Sequence, residues 1–269
     1  LHHRGLARRS LALELRRGLA RSEFEPYFQP QFDARTHEVV GVETLARWDS
    51  PQLGLLMPAE FLPVAKKLAL VEEIDTLIFD KAVEQINSLR PLGIKIPKLS
   101  VNVTAEQIMS DEVHARLLRQ GADSPKIVFE VLETILVEEQ SDLFHFGLDR
   151  LRDAGVMVEI DDFGSGHASI VGLMQLRPDA MKIDQKLIRP ITIDPLAHGL
   201  LKHIVGMADL MDLQIIAEGV ETMQHASILR DAGCHTLQGD AFCKPIPVAA
   251  LRDFILHHQA QLRLRARSP

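Results

Sequence analysis

Val156-Met157-Val158-Glu159-Ile160-Asp161-Asp162 is a short run rich in Val and Ile that ends in two adjacent carboxylates. Buried strands read as such runs, and charged groups stay out of them unless paired, metal-bound or functional. Six other runs end the same way, each in an acidic, amide or lysine residue. They are 39–45 around Glu43, 99–102 with Asn102, 127–130 with Glu130, 180–182 with Lys182, 213–218 with Glu218, and 236–238 with Gln238. One polar ending is an accident of composition. A series that strand ends bring onto one face of a barrel reads as an active site.

Outward from this stretch, helical periodicity fills the gaps between the runs. It covers 105–119, 141–154, 168–176, 197–211, 222–232 and 248–260. Strands alternating with helices demand a mostly parallel sheet. Nearer the start, 24–32 and 38–48 are strands joined by the turn 33–37, a hairpin-length connection that sets the first strand antiparallel to the rest. Residues 58–70 and 71–89 read as helices, and 91–97 as a loop. Eight strands in 269 residues fit an α/β chain folded as a (β/α)8 TIM-like barrel. An open doubly wound sheet is the alternative, but no G-x-G-x-x-G follows the first strand, so a dinucleotide fold has no support. The organisation expected is a linker helix over 1–22, one barrel over 23–260 and a tail over 261–269.

Composition agrees. Hydrophobic residues at 46% supply a sizeable core, and aromatics at 5% leave that core to Leu, Ile, Val and Ala. A formal charge of −7 argues against coating a nucleic-acid polymer, although a local basic patch can still hold phosphate. No apolar run reaches the ~18 residues that span a membrane, and no signal peptide is evident. Cys234 and Cys243 are the only cysteines. Free thiols in a reducing compartment are the simpler reading over a disulfide, which makes the cytoplasm the expected location. The chain starts at Leu1 without Met, so a longer protein with N-terminal domains is expected. Leu11, Leu15 and Leu19 share the segment 6–21 with Arg8, Arg9, Arg16, Arg17 and Arg21. Such a basic amphipathic helix can touch membranes or partner domains; a solvated connector is the reading adopted.

The chemistry lies at the strand ends. Glu43, Asn102, Glu130, Asp161 and Asp162 are hard oxygen donors with no Cys or His beside them, which suits Mg²⁺ or Mn²⁺ rather than zinc. Two ions about 3.5–4 Å apart are the usual device for cutting a phosphodiester, and the adjacent Asp pair can serve both. Any one of these carboxylates taken alone reads equally as a salt bridge or helix cap. Lys182 among carboxylates should stay protonated; it either orients an attacking water or pairs with Asp184. Gly164-Ser165-Gly166 allows a tight loop close to a ligand or partner subunit. Arg47 shares a strand face with Glu43 and Leu45 and could grip a phosphate bidentately, or simply be solvated. The twelve histidines form no metal motif.

These residues also carry a family resemblance, spanning the chain from Phe24 to about Leu256. The sequence resembles an EAL domain, the phosphodiesterase module that hydrolyses cyclic di-GMP. Tyr27-Phe28-Gln29-Pro30 is similar to the family's entry strand, and Glu43-Thr44-Leu45-x-Arg47 occupies its signature. Pro58-Ala59-Glu60-Phe61, Val101-Asn102-Val103 and Glu130-x-x-Glu133 follow in order. Asp161-Asp162-Phe163-Gly164-Ser165-Gly166 closely resembles the central motif. Lys182-Ile183-Asp184, Ala217-Glu218-Gly219-Val220-Glu221-Thr222 and Gln238-Gly239 complete the series.

The resemblance implies roles position by position. Glu43, Asn102, Glu130 and Asp161 match ligands of a first metal. Asp161 would bridge to a second, which Asp162 also binds, with Glu218 contributing directly or through water. Lys182 matches the contact to the nucleophilic water, so Glu43, Glu218, Lys182 and Glu133 form the expected catalytic set. Glu133 would steady the loop 163–169, which in the family couples to dimerisation. Leu45, Arg47, Gln29, Pro58, Asp184, Glu221 and Gln238 match substrate contacts. The implied reaction opens cyclic di-GMP to linear pGpG with inversion, needs two Mg²⁺ or Mn²⁺ ions, and is inhibited by Ca²⁺. A homodimer is implied, and the Arg-rich first helix resembles the linker that often follows a GGDEF domain.

Four positions depart from the pattern. Thr44 replaces the signature alanine and by period two faces away from Glu43. Leu132 stands for a usual threonine, His167 for a common tyrosine, and Asp240 for a tyrosine. None removes a metal ligand. The resemblance therefore implies an active phosphodiesterase. A silent cyclic di-GMP receptor that signals to a partner, and a barrel phosphohydrolase for another ester, are the alternatives.

Overall fold

The computed structural model describes residues 2–119, 121, 124–138, 141–165 and 170–265. Strand–helix alternation is realised from the first hairpin onward. Helix α1 (His2–Ala20) leads into β1 (Phe24–Asp33), β2 (Val39–Ser50) and β3 (Gly54–Leu56), then α2 (Pro58–Lys67) and α3 (Val71–Asn87). Next come β4 (Lys98–Asn102), α4 (Ala105–Ile108), α5 (Asp111–Leu118), β5 (Lys126–Leu132), α6 (Ile135–Glu138) and α7 (Asp142–Asp153). The rest is β6 (Met157–Phe163), α8 (Ile170–Leu176), β7 (Ala180–Ile183), α9 (Gln185–Ile188), α10 (Pro195–Leu210), β8 (Gln214–Ala217), α11 (Met223–Ala232), β9 (Thr236–Leu237) and α12 (Val248–Arg265).

The sheet runs β1-β9-β8-β7-β6-β5-β4-β2 and closes through β1–β2, giving the expected eight-stranded barrel. Strand β1 is antiparallel to both neighbours, as the short 33–37 turn requires. β3 is an added hairpin arm on β2, outside the barrel. The period of two sorts side chains between the barrel interior and the helix layer. Leu99, Val101, Phe129, Val131, Ile160, Met181, Ile183, Ile215 and Ala217 join the apolar layer under the helices. Their neighbours Ser100, Glu130, Glu159, Asp161 and Lys182 therefore point inward, and all are buried. The barrel axis is polar.

Three expectations need correction. The segment 105–119 is two helices, because the Ser110 side chain accepts the Val113 N–H and caps a new start. The last helix continues to Arg265, into the expected tail. And α1 is more than a solvated connector: Leu15 is fully buried in a second cluster with Phe24, Trp48 and Phe61, where Phe24 stacks on Trp48 at 5.4 Å. Among the described residues no helix is long and apolar enough to cross a membrane.

Candidate active site

Glu43 within β2, Glu130 and Asp161 near the ends of β5 and β6, Lys182 on β7 and Glu218 just after β8 gather around one point. Lys182 Nζ lies 2.7 Å from Glu218 Oε1, 3.0 Å from Glu130 Oε1, 3.1 Å from Asp161 Oδ1 and 3.3 Å from Glu43 Oε2. The lysine is wholly buried. Burial works against its charge, but Asp161, Glu130, Glu218 and Glu43 outweigh it and hold its pKa well above the ordinary lysine value. Burial likewise lifts Glu130 well above the carboxylate range, helped by Glu43. Glu218 is raised to about 8, by burial first and by Asp161 and Glu43 against the opposing Lys182.

Adjacent residues of a regular strand point to opposite faces, so Asp161 and Asp162 need a special backbone to act together. The β6–β7 ladder breaks between Ile160 and Phe163, and Asp162 adopts φ +56°. With that kink, Asp161, Asp162 and Glu218 each offer an oxygen within 4.8 Å of the others. Asp162 is raised to about 6 by burial, by Asp161, and by a hydrogen bond with Asp184. Asp184 itself caps α9 by accepting the Lys186 N–H at 2.6 Å.

Amides fix the opposite wall. Gln238 Nε2 donates to Glu43 Oε2 and, at 3.1 Å, to Gln29 Oε1, while Gln31 Nε2 donates to Gln238 Oε1 at 3.0 Å. Glu133 is buried and accepts the Ser165 hydroxyl at 3.1 Å, while its N–H donates to the Asp161 carbonyl at 3.1 Å. That ties the Asp pair to the start of the following loop. Residues 166–169, His167 included, lie outside the described residues.

The opening above the cluster is a cavity of about 350 Å³ whose lining includes Gln29, Leu45, Arg189, Glu221, Gln238 and Asp240. Four of the expected substrate contacts thus reach it. Arg47 does not. Its Nη1 donates to the Ala46 carbonyl at 2.8 Å and its guanidinium lies over the Tyr27 ring, 5.5 Å from the centroid. Pro58 starts α2, and Asp184 lies below at the α9 cap. Asn102 is exposed at the end of β4 beside Glu130 in the ladder. It lines a separate small cavity with Asp75, a carboxyl on α3 that burial and Glu72 raise to about 7.

Sequence reading missed Glu159, Arg189 and Asp75. Glu159 is fully buried, one inward step below Asp161, and pairs with Lys98 at 3.5 Å. Its spacing of two from Asp161 was the available signal. Arg189 sits in a short 3-10 turn and carries no periodic signature.

The donor set fits divalent cations. Every candidate is a carboxylate or amide oxygen, and Glu130, whose Oε1 faces Lys182 at 3.0 Å, leaves its buried Oε2 without a hydrogen bond. Asp161, Asp162 and Glu218 converge closely enough for one ion. An eight-stranded barrel with an acidic, metal-fitting site at its strand C-termini is the class these features define.

The chain belongs to the EAL domain family, whose model matches residues 12–245. It is 33% identical over 246 residues to the cyclic di-GMP phosphodiesterase NbdA of Pseudomonas aeruginosa, covering 90% of this chain and 31% of that protein. It is 32% identical over 256 residues to an uncharacterized protein of Mycobacterium tuberculosis, covering 93% and 41%. The chain thus spans less than half the length of these curated relatives. Among solved structures, the PaMucR phosphodiesterase in complex with c-di-GMP superposes with a TM-score of 0.81 at 32% identity, covering 90% of this chain and 99% of that one. The EAL enzyme Bd1971, bound to cAMP and cyclic di-GMP, gives a TM-score of 0.82 at 26% identity, covering 93% and 69%.

Proposed function

We propose that this chain hydrolyses cyclic di-GMP to linear pGpG. The observation that carries the reading is the buried Lys182 ringed by Glu43, Glu130, Asp161 and Glu218, in a barrel similar to a phosphodiesterase solved with c-di-GMP. Glu43, Asn102, Glu130 and Asp161 would hold one Mg²⁺ or Mn²⁺, and Asp161, Asp162 and Glu218 a second. When bound, the two ions supply Lewis-acid activation of water and offset charge on the phosphate. Ca²⁺ accepts looser and larger coordination, which makes it the expected inhibitor.

The chain's own groups do the rest. Lys182, kept protonated, donates toward the attacking water or a phosphate oxygen and fixes four carboxylates at once. Gln238 holds the Glu43 carboxylate from the side. Glu133 anchors the Asp161 carbonyl and Ser165, so the Asp pair cannot swing away. Gln29, Leu45, Glu221 and Gln238 line the opening where the nucleotide would lie. Arg47 could join them by leaving the Tyr27 ring.

A homodimer belongs to the same reading. Leu132, Ile170, Val171 and Met174 are exposed apolar side chains flanking the loop after the Asp pair, which supports a covered face there. Free Cys234 and Cys243 support a cytoplasmic setting.

Glu43→Ala tests the assignment. The variant should fold and lose cyclic di-GMP hydrolysis; unchanged turnover would contradict it.

A further inference from the structure

The cyclic dinucleotide proposed above carries two phosphodiesters, so this inference rests on that reading. With one phosphodiester at the catalytic carboxylates, the other would lie toward the mouth, where a cation would offset its charge. The mouth offers little positive charge. Five acids line it: Glu43, Asp161, Glu218, Glu221 and Asp240. Among the described lining residues Arg189 is the one cation. Lys182 lies beneath, fully buried and engaged with four carboxylates. Arg47 is turned onto Tyr27 and the Ala46 carbonyl. Lys244 leans on Asp240 at 3.7 Å and points outward, 76% exposed.

Arg189 is also held in position. Its Nε lies 3.0 Å from Glu221 Oε1 across the opening. Its carbonyl is met by His225 Nε2 at 3.2 Å, and a carbonyl can only accept, so His225 carries its proton there. His225 Nδ1 in turn faces the Thr222 hydroxyl at 2.7 Å, directly after Glu221. The turn that carries Arg189 and the loop that carries Glu221 are therefore pinned together by a buried imidazole. The Arg189 side chain remains 58% exposed, so it can meet a ligand without breaking that anchor.

We propose that Arg189 is a specificity-determining residue that binds the phosphodiester not being cut. By this it favours cyclic dinucleotides over diesters with a single phosphate. Glu221 keeps the guanidinium extended over the opening until the ligand arrives.

The test compares Arg189→Ala and Arg189→Lys with the parent chain on cyclic di-GMP and on bis(4-nitrophenyl) phosphate, a diester with one phosphate. For Arg189→Ala, KM for cyclic di-GMP should rise about tenfold, the loss of one charge-assisted contact. The effect should fall on KM rather than kcat, and KM for the single-phosphate diester should rise by a much smaller factor. Arg189→Lys should recover part of the loss, since it restores charge without the planar fork. A structural role alone would move both substrates together, and that result overturns the inference. So does an unchanged KM for cyclic di-GMP. The two readings fail separately. If the parent chain binds cyclic di-GMP without cutting it, the proposed function falls, and calorimetry still reads Arg189. Equal affinity of parent and Arg189→Ala then overturns the inference, as does no binding at all.

Discussion

The Lys182 ammonium lies 3.0 Å from Glu130 Oε1, and neither side chain exposes any surface. A cation taken that far from water costs several kcal/mol, which only excellent partners repay. Here three further carboxylates share the task at 2.7–3.3 Å. The cluster is therefore one electrostatic unit, and removing its centre strands the rest.

Lys182→Met should destabilise the metal-free protein by about 3 kcal/mol, the scale of a broken buried ion pair. Divalent cations should restore part of that loss, because they take over the neutralising role. Urea unfolding in EDTA and in Mn²⁺ checks both statements. A variant as stable as the parent in EDTA would be inconsistent with a lysine-centred cluster.

The raised carboxyls set a pH dependence. Glu218 at about 8 and Asp162 at about 6 keep their protons to higher pH folded than unfolded. The metal-free folded state then binds more protons, so its stability is greatest at low pH within this window and falls as pH rises from the ordinary carboxylate range through about 8. In EDTA, Tm should drop by several degrees between pH 5.5 and pH 8.5 on the order expected for kcal-scale changes. Metal must displace the same protons, so Mn²⁺ affinity should climb with pH, by up to about tenfold per unit. A flat profile in calorimetry would count against the raised values.

Asp162 holds a left-handed conformation at φ +56°, which Asn tolerates and β-branched residues do not. Asp162→Asn should keep the parent's stability within about 1 kcal/mol while weakening Mn²⁺ binding about tenfold. Asp162→Val should add about 1–2 kcal/mol of strain to the same metal loss. Thermal melts and metal titrations of the pair separate charge from backbone. Equal stability of the two variants would rule out the kinked backbone.

Gly239 supports two site loops at once. A Cβ there would stand 2.3 Å from the Val220 nitrogen and 2.4 Å from its oxygen. Those same atoms donate to the Gln238 carbonyl at 3.0 Å and accept the Ala241 N–H at 2.9 Å. Gly239→Ala should spread the Glu218–Glu221 loop from Gln238, costing about 2 kcal/mol or more. Because Gln238 and Glu218 then part, turnover should fall at least about tenfold. Parent-like melting and kcat would show that the contact is relieved cheaply.

Much of this site was legible before the structure because period two forces it. Glu43 within β2, Glu130, Asp161 and Lys182 near the ends of β5, β6 and β7, and Gln238 just past β9 share the inward period, so closing the barrel brings them together. The same rule pointed to Glu159, hidden only because it sits inside an apolar run. What the rule cannot reach depends on tertiary contacts. The break that lets Asp161 and Asp162 act on one side arises between β6 and β7. Arg47 has the expected register, yet its rotamer is set by Tyr27 and Ala46. Arg189 reaches the opening from a turn with no periodicity. Ser110 splits a helix whose apolar spacing ran through it.

The most direct measurement is turnover of cyclic di-GMP by this chain, followed by chromatography of the product with Mg²⁺ or Mn²⁺ and again with EDTA. Linear pGpG is expected in the presence of either ion and none with EDTA. Cyclic di-GMP that is bound but left intact in both ions, or cut equally well in EDTA, would contradict it.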